Sequence, residues 1–190
     1  MSQNHKGAVL LFNSDGQMVD VLWNDINELS SFGKCVVMNP DGTKMAIFSK
    51  LNTSNNSQVR IYDISSTGAT LISTWNSGGT SDGQDGNVAM SDTHIFVGSP
   101  YTGGGSVKVF DYNGTLIRTL SDGGAGGNYL GSQVHYEDGK IVALANQAGQ
   151  YPNYNPYIQV WDSDGSNLLY THSLPGGGSI EYGVGYNKGQ

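Results

Sequence analysis

The sequence predicts an all-β protein of stacked four-stranded units, and three observations predict it. One segment recurs four times at near-equal spacing, glycine-bearing turns follow the recurring segment, and no stretch carries a sustained helical period. The recurring segments are Gly7-Ala-Val-Leu-Leu-Phe-Asn13, Ser57-Gln-Val-Arg-Ile-Tyr-Asp63, Gly105-Ser-Val-Lys-Val-Phe-Asp111 and Pro156-Tyr-Ile-Gln-Val-Trp-Asp162. Each places a β-branched residue third, an aliphatic residue fifth, an aromatic sixth and Asp or Asn seventh. The third-place residues Val9, Val59, Val107 and Ile158 stand 50, 48 and 51 positions apart.

Turn chemistry defines the next element. Asp15-Gly16, Asn113-Gly114 and Asp164-Gly165 are hairpin signals of the type I′ kind, and the second copy is given a longer connection, Ile64 to Gly68. A returning strand follows in each: Met18 to Trp23, Thr70 to Trp75, Thr115 to Leu120 and Leu168 to Leu174. Two further strands precede three of these hairpins. They turn at Pro40-Asp41-Gly42, at Ser91-Asp92 and at Asp138-Gly139.

Each unit therefore holds four short strands in about 50 residues, the content of one propeller blade. A lone four-stranded sheet cannot bury two apolar faces, whereas blades stacked about an axis cover both. The expected fold is a β-propeller of about four blades in a single repeat domain, residues 1–190. The blades fall at approximately 32–75, 85–120 and 130–174, with a fourth made of 180–190 together with 7–23. One blade is thus completed by both termini; an open arc closing with another chain is the alternative. Trp23 and Trp75 stand at the same offset from their turn glycines and are expected between neighbouring sheets. Val107, Phe110 and Trp161 complete the expected structural core.

Phe32-Gly33, Leu130-Gly131 and Tyr182-Gly183 open their units. His94-Ile-Phe-Val-Gly98-Ser99-Pro100 leads through a glycine-rich link into Gly105-Ser-Val-Lys-Val-Phe-Asp111. This pattern resembles the FG-GAP repeat family, the blade type of the integrin α-subunit propeller and of many bacterial extracellular proteins. The resemblance spans Gly7 to Tyr186 and is strongest in the third unit; in the first, Phe48-Ser49 replaces Gly-Ser. It implies a propeller that works by adhesion or binding, often with calcium in an Asp-x-Asp-x-Asp-Gly loop. The nearest stretches here, Asp162-Ser163-Asp164-Gly165 and Asn13-Ser14-Asp15-Gly16, are each short of ligands, so neither calcium nor another cofactor is expected.

Composition narrows the function. Only 13% of residues are charged against a usual share of about 25%, and the net charge is −7. An acidic chain without a Lys/Arg cluster is poorly suited to nucleic acid. No run approaches a membrane span. The amino terminus carries no secretory signal pattern, which reads as synthesis in a cytoplasm without standard export. The single cysteine, Cys35, sits in the apolar run Cys35-Val-Val-Met38 and reads as a buried structural thiol.

No catalytic constellation emerges. His5, His94, His135 and His172 are scattered, and the glycine-rich stretches do not lead into helices, so they do not form phosphate loops. Asp15, Asp41, Asp111, Asp138, Asp162 and Asp164 are turn residues, accounted for by local hydrogen bonding. No metal site and no enzyme activity are expected. The candidate binding surface is the loop Tyr151-Pro-Asn153-Tyr154-Asn155-Pro-Tyr157, whose rings and amides suit protein or sugar contacts; the plain alternative is packing on the next blade. The expected function is a non-enzymatic structural or attachment propeller of a phage capsid decoration or tail. Its expected partners are other virion or scaffold proteins and glycans, in an oligomer of undetermined order, and its location is the virion or the medium after lysis. The alternative is a cytoplasmic interaction scaffold, with a propeller-type enzyme as the outlying case.

Overall fold

A computed structural model describes residues 7–24, 31–50, 57–77, 87–101, 104–121, 129–146 and 156–174. These hold fourteen strands in four antiparallel sheets, with no helix among the described residues. The first sheet pairs β1 (Ala8–Phe12) with β2 (Met18–Trp23). The second is β3 (Cys35–Met38), β4 (Lys44–Lys50), β5 (Ser57–Ser65) and β6 (Gly68–Asn76). The third is β7 (Val88–Met90), β8 (Ile95–Gly98), β9 (Val107–Phe110) and β10 (Leu116–Leu120). The fourth is β11 (Leu130–Glu137), β12 (Lys140–Ala145), β13 (Tyr157–Trp161) and β14 (Leu168–Ser173). Spatial order equals chain order in each, so every sheet is a meander. The 180–190 segment expected to complete the first sheet lies outside the described residues.

The recurring segment becomes β1, β5, β9 and β13, and its period-two pattern fixes which sheet each side chain meets. Third- and fifth-place residues face the following sheet. Val59 and Ile61 join a cluster with Val88, Ile95 and Val97; Val107 and Val109 join one with Leu130, Ile141 and Ala143. Sixth-place aromatics face the preceding sheet: Tyr62 packs with Val9, Phe110 with Val59, and Trp161 with Val107. The core is thus a series of layers between sheets, and Val107, Phe110 and Trp161 are buried in it. Trp75 is half-buried on β6, its ring centroid 4.8 Å from that of Phe110 on the next sheet.

Trp23 corrects the sequence reading. It pairs with Ala8, a second-place residue, whereas Trp75 pairs with third-place Val59. The two indoles therefore point to opposite sides of their sheets despite equal offsets from a turn glycine. Trp23 is 65% exposed, on the same face as Leu10 and Phe12, and Leu22 takes the inward place near Val9. Equal offset fails because the two hairpins have different loops.

Those loops are a second correction. Asp15, Asn113 and Asp164 do not take positive φ, while Gly16, Gly114 and Gly165 do. Each loop is a tight turn followed by a left-handed glycine rather than a type I′ pair. The seventh-place residue organises it. Asn13 Oδ1 accepts from the amides of Asp15 and Gln17, and Asp111 Oδ1 accepts from those of Asn113 and Thr115. In the second sheet Asp63 pairs instead with Lys44. There the strands run on to a two-residue turn between Ser65 and Gly68, shorter than the expected connection, where Ser65 Oγ bonds the Thr67 amide and the Gly68 carbonyl.

Candidate functional site

The first strands β3, β7 and β11 stand side by side and line a central channel. A cavity of about 470 Å³ is walled by Cys35, Val37, Asn87, Met90, Gln133 and His135 among others. Cys35 is half-buried, and burial pushes its thiol above the ordinary value. The channel wall mixes apolar side chains with the amides of Asn87 and Gln133 and the imidazole of His135.

At one mouth lie the turns between first and second strands, next to a cavity of about 320 Å³ lined by Met38, Met90, Tyr136 and Asp138 among others. Asn39 bridges two sheets there, donating from Nδ2 to Asp41 Oδ1 at 2.6 Å and to Asp92 Oδ1 at 2.8 Å. Hydrogen bonds from the Thr43 hydroxyl and amide hold the Asp41 carboxyl below the usual range. Tyr112 donates its hydroxyl to the Ser91 carbonyl at 2.6 Å; burial, then Asp92, Asp41 and Asp63, push its phenol far above the ordinary value. This is a structural network tying neighbouring turns. Among the described residues no group of three His, Cys, Asp or Glu side chains is placed to hold a metal ion.

The opposite face carries the links between second and third strands and those that open each first strand. Here Tyr101 and Tyr129 meet edge to face, with centroids 5.4 Å apart and planes at 77°. Together with Pro100 and Gly104 they line a cavity of about 190 Å³. Tyr101 is 60% exposed, and Tyr129 takes φ 53°, a left-handed conformation unusual for a tyrosine. The two segments are clamped backbone to backbone: Gly105 bridges Leu130, and a Cβ on Gly105 would lie 2.1 Å from the Leu130 nitrogen.

Of the binding loop read from the sequence, Tyr151, Asn153, Tyr154 and Asn155 lie outside the described residues. Tyr157 belongs to β13, paired with Ala145 and Ser173, and packs half-buried against the core layer between the third and fourth sheets. The sequence reading missed the pair Tyr101 and Tyr129. Its only trace was a tyrosine beside each of two glycine-rich links, and nothing local shows that the links meet. His94 is accounted for by its Nδ1 contact with Thr93 Oγ1 at 2.9 Å, while His135 is exposed.

No known family's sequence pattern matches the chain, and no curated protein matches it. Solved structures do. The β-propeller domain of the Trilobed protease from Pyrococcus furiosus, described as having an open velcro topology, aligns over 90% of this chain and 50% of its own, with 12% identity and a TM-score of 0.55. The hydrazine synthase of Kuenenia stuttgartiensis aligns over 88% of this chain and 43% of its own, at 13% identity and a TM-score of 0.51. The chain spans half or less of the length of these two structures. With radially stacked meanders around a channel, the protein is a β-propeller. At such identities the likeness concerns the fold alone.

Proposed function

We propose that the chain is a non-enzymatic binding propeller that attaches to other proteins through its rim. The observation that carries this is an aliphatic pair on the outermost strand of every sheet: Met18-Val19, Leu71-Ile72, Leu116-Ile117 and Leu168-Leu169. The first member always lies opposite the sixth-place aromatic, and the second is always the extra residue of a β-bulge. Met18, Leu71, Leu116 and Leu168 are 58%, 49%, 50% and 51% exposed. An exposed apolar pair repeated at the same place on each sheet offers side chains for protein contact. The bulge disrupts the outer edge as a template for strand pairing, leaving side chains to make the contact.

The finer reading is an FG-GAP-like attachment protein of a phage particle, in a capsid decoration or tail. It is supported by the paired openings Phe32-Gly33 and Leu130-Gly131, whose glycines share a left-handed φ of 77° and 86°, and by the low-charge, Gly-rich composition. A cytoplasmic scaffold would use the same rim. Banding of particles on a density gradient after lysis of the source cells tests the choice. The chain should band with particles and leave the band when Leu71, Leu116 and Leu168 are together changed to Asp. A chain confined to the soluble fraction overturns the virion reading, and undiminished banding of the triple variant overturns the rim.

A further inference from the structure

We infer that the corner between Tyr101 and Tyr129 is a carbohydrate subsite that takes one neutral pyranose unit of a glycan. The inference adds a ligand class to the binding reading above but uses a different surface, so the two fail separately: particle banding reads the rim, sugar titration reads the corner.

Four observations carry it. The rings stand at 77° with centroids 5.4 Å apart, and both tyrosines line the cavity. The aromatic face is the negative part of the ring's quadrupole and attracts the weakly positive C–H face of a pyranose, while two phenols and nearby backbone serve its hydroxyls. The cavity, about 190 Å³, is below the roughly 300–1,000 Å³ of sites for drug-sized ligands, which suits a single sugar ring rather than a length of peptide. The described lining residues, Pro100, Tyr101, Gly104 and Tyr129, carry no charged side chain, which suits a neutral ligand.

The fourth observation is the backbone of Tyr129. Its φ of 53° would be relieved by glycine, and apart from Asp138 no other non-glycine residue among those described adopts positive φ. A tyrosine held there serves the ring rather than the chain path. The Gly105–Leu130 bridge holds the backbone next to Tyr129, so little freedom is lost there on binding.

Isothermal titration of the whole chain with maltopentaose, mannopentaose and chitopentaose tests the site. Saturable binding of at least one, with Kd near ~1 mM, is expected; Tyr101→Ala and Tyr129→Gly should each weaken it about tenfold or more. The melting temperature of Tyr129→Gly should not fall, because glycine accepts the left-handed backbone. If it does fall, the exposed Tyr101→Ala variant alone decides. No saturable binding by any of the three sugars, or binding unchanged in Tyr101→Ala, overturns the inference.

Discussion

At Trp75 a single side chain joins two sheets. Its indole nitrogen donates to the Tyr112 carbonyl at 3.2 Å while its ring lies against Phe110. Trp75→Ala removes both and leaves a cavity, so we expect a loss of about 3 kcal/mol in urea unfolding. Trp23→Ala, at an exposed site, should cost less than about 1 kcal/mol; equal losses would mean that Trp23 is covered in solution. Asp162 makes a pH prediction. Some desolvation opposes ionisation, but hydrogen bonds from Asn167 and Ser166 hold its carboxyl down to about 2. A carboxyl lowered on folding contributes stability above its unfolded value, about 4, and loses that contribution as pH falls toward 2. Acid unfolding should therefore be steeper between those values for the native chain than for Asp162→Asn. Parallel curves would remove Asp162 as a cause.

The elements lock together through their turns. In the second, third and fourth sheets the glycine closing the outer hairpin sits against the outer strand of the preceding sheet. A Cβ on Gly114 would lie 2.4 Å from Trp75 Cγ, and one on Gly165 would lie 2.7 Å from Leu120 Cδ2. Gly16, with the same left-handed φ, would meet nothing within 4 Å. Gly16→Ala should then cost only the backbone penalty, about 1 kcal/mol. Gly114→Ala should cost about 3 kcal/mol, because the indole must also move. Thermal unfolding of the two variants reads the difference, and similar losses would show that the turn does not bear on Trp75. Much at this scale was legible in the chain: the seventh-place Asp or Asn and the glycine three positions on announced a turn. The turn type was not, because Asp111 Oδ1 gathers two loop amides in a geometry that neither residue specifies alone.

Across the whole molecule, stability should follow strand count. β5, β9 and β13 each have a neighbour on both sides, whereas β1 is paired only with β2 among the described strands. Two-stranded sheets are marginal without further cover, and local opening follows the least-buried elements. Amide hydrogen exchange should therefore be fastest in Ala8–Phe12 among the four recurring segments. Protection there equal to that of Val107–Phe110 would show that a further strand covers β1. Leu10 and Phe12 on β1 are each 52% exposed.

By itself the sequence determined the repeat, the four-stranded unit and the propeller, because side-chain alternation and turn glycines act over a few residues and recur in every copy. It placed Val107, Phe110 and Trp161 at the strand positions that lie in the core. What only the tertiary structure decided depends on register and on distant segments meeting. It turned Trp23 to the opposite side from Trp75, aligned the bulged aliphatic pairs along the rim, and set Tyr101 against Tyr129 across two sheets. A one-residue difference in pairing reverses the face of every side chain on a strand, and no local pattern records which links of a ring will touch.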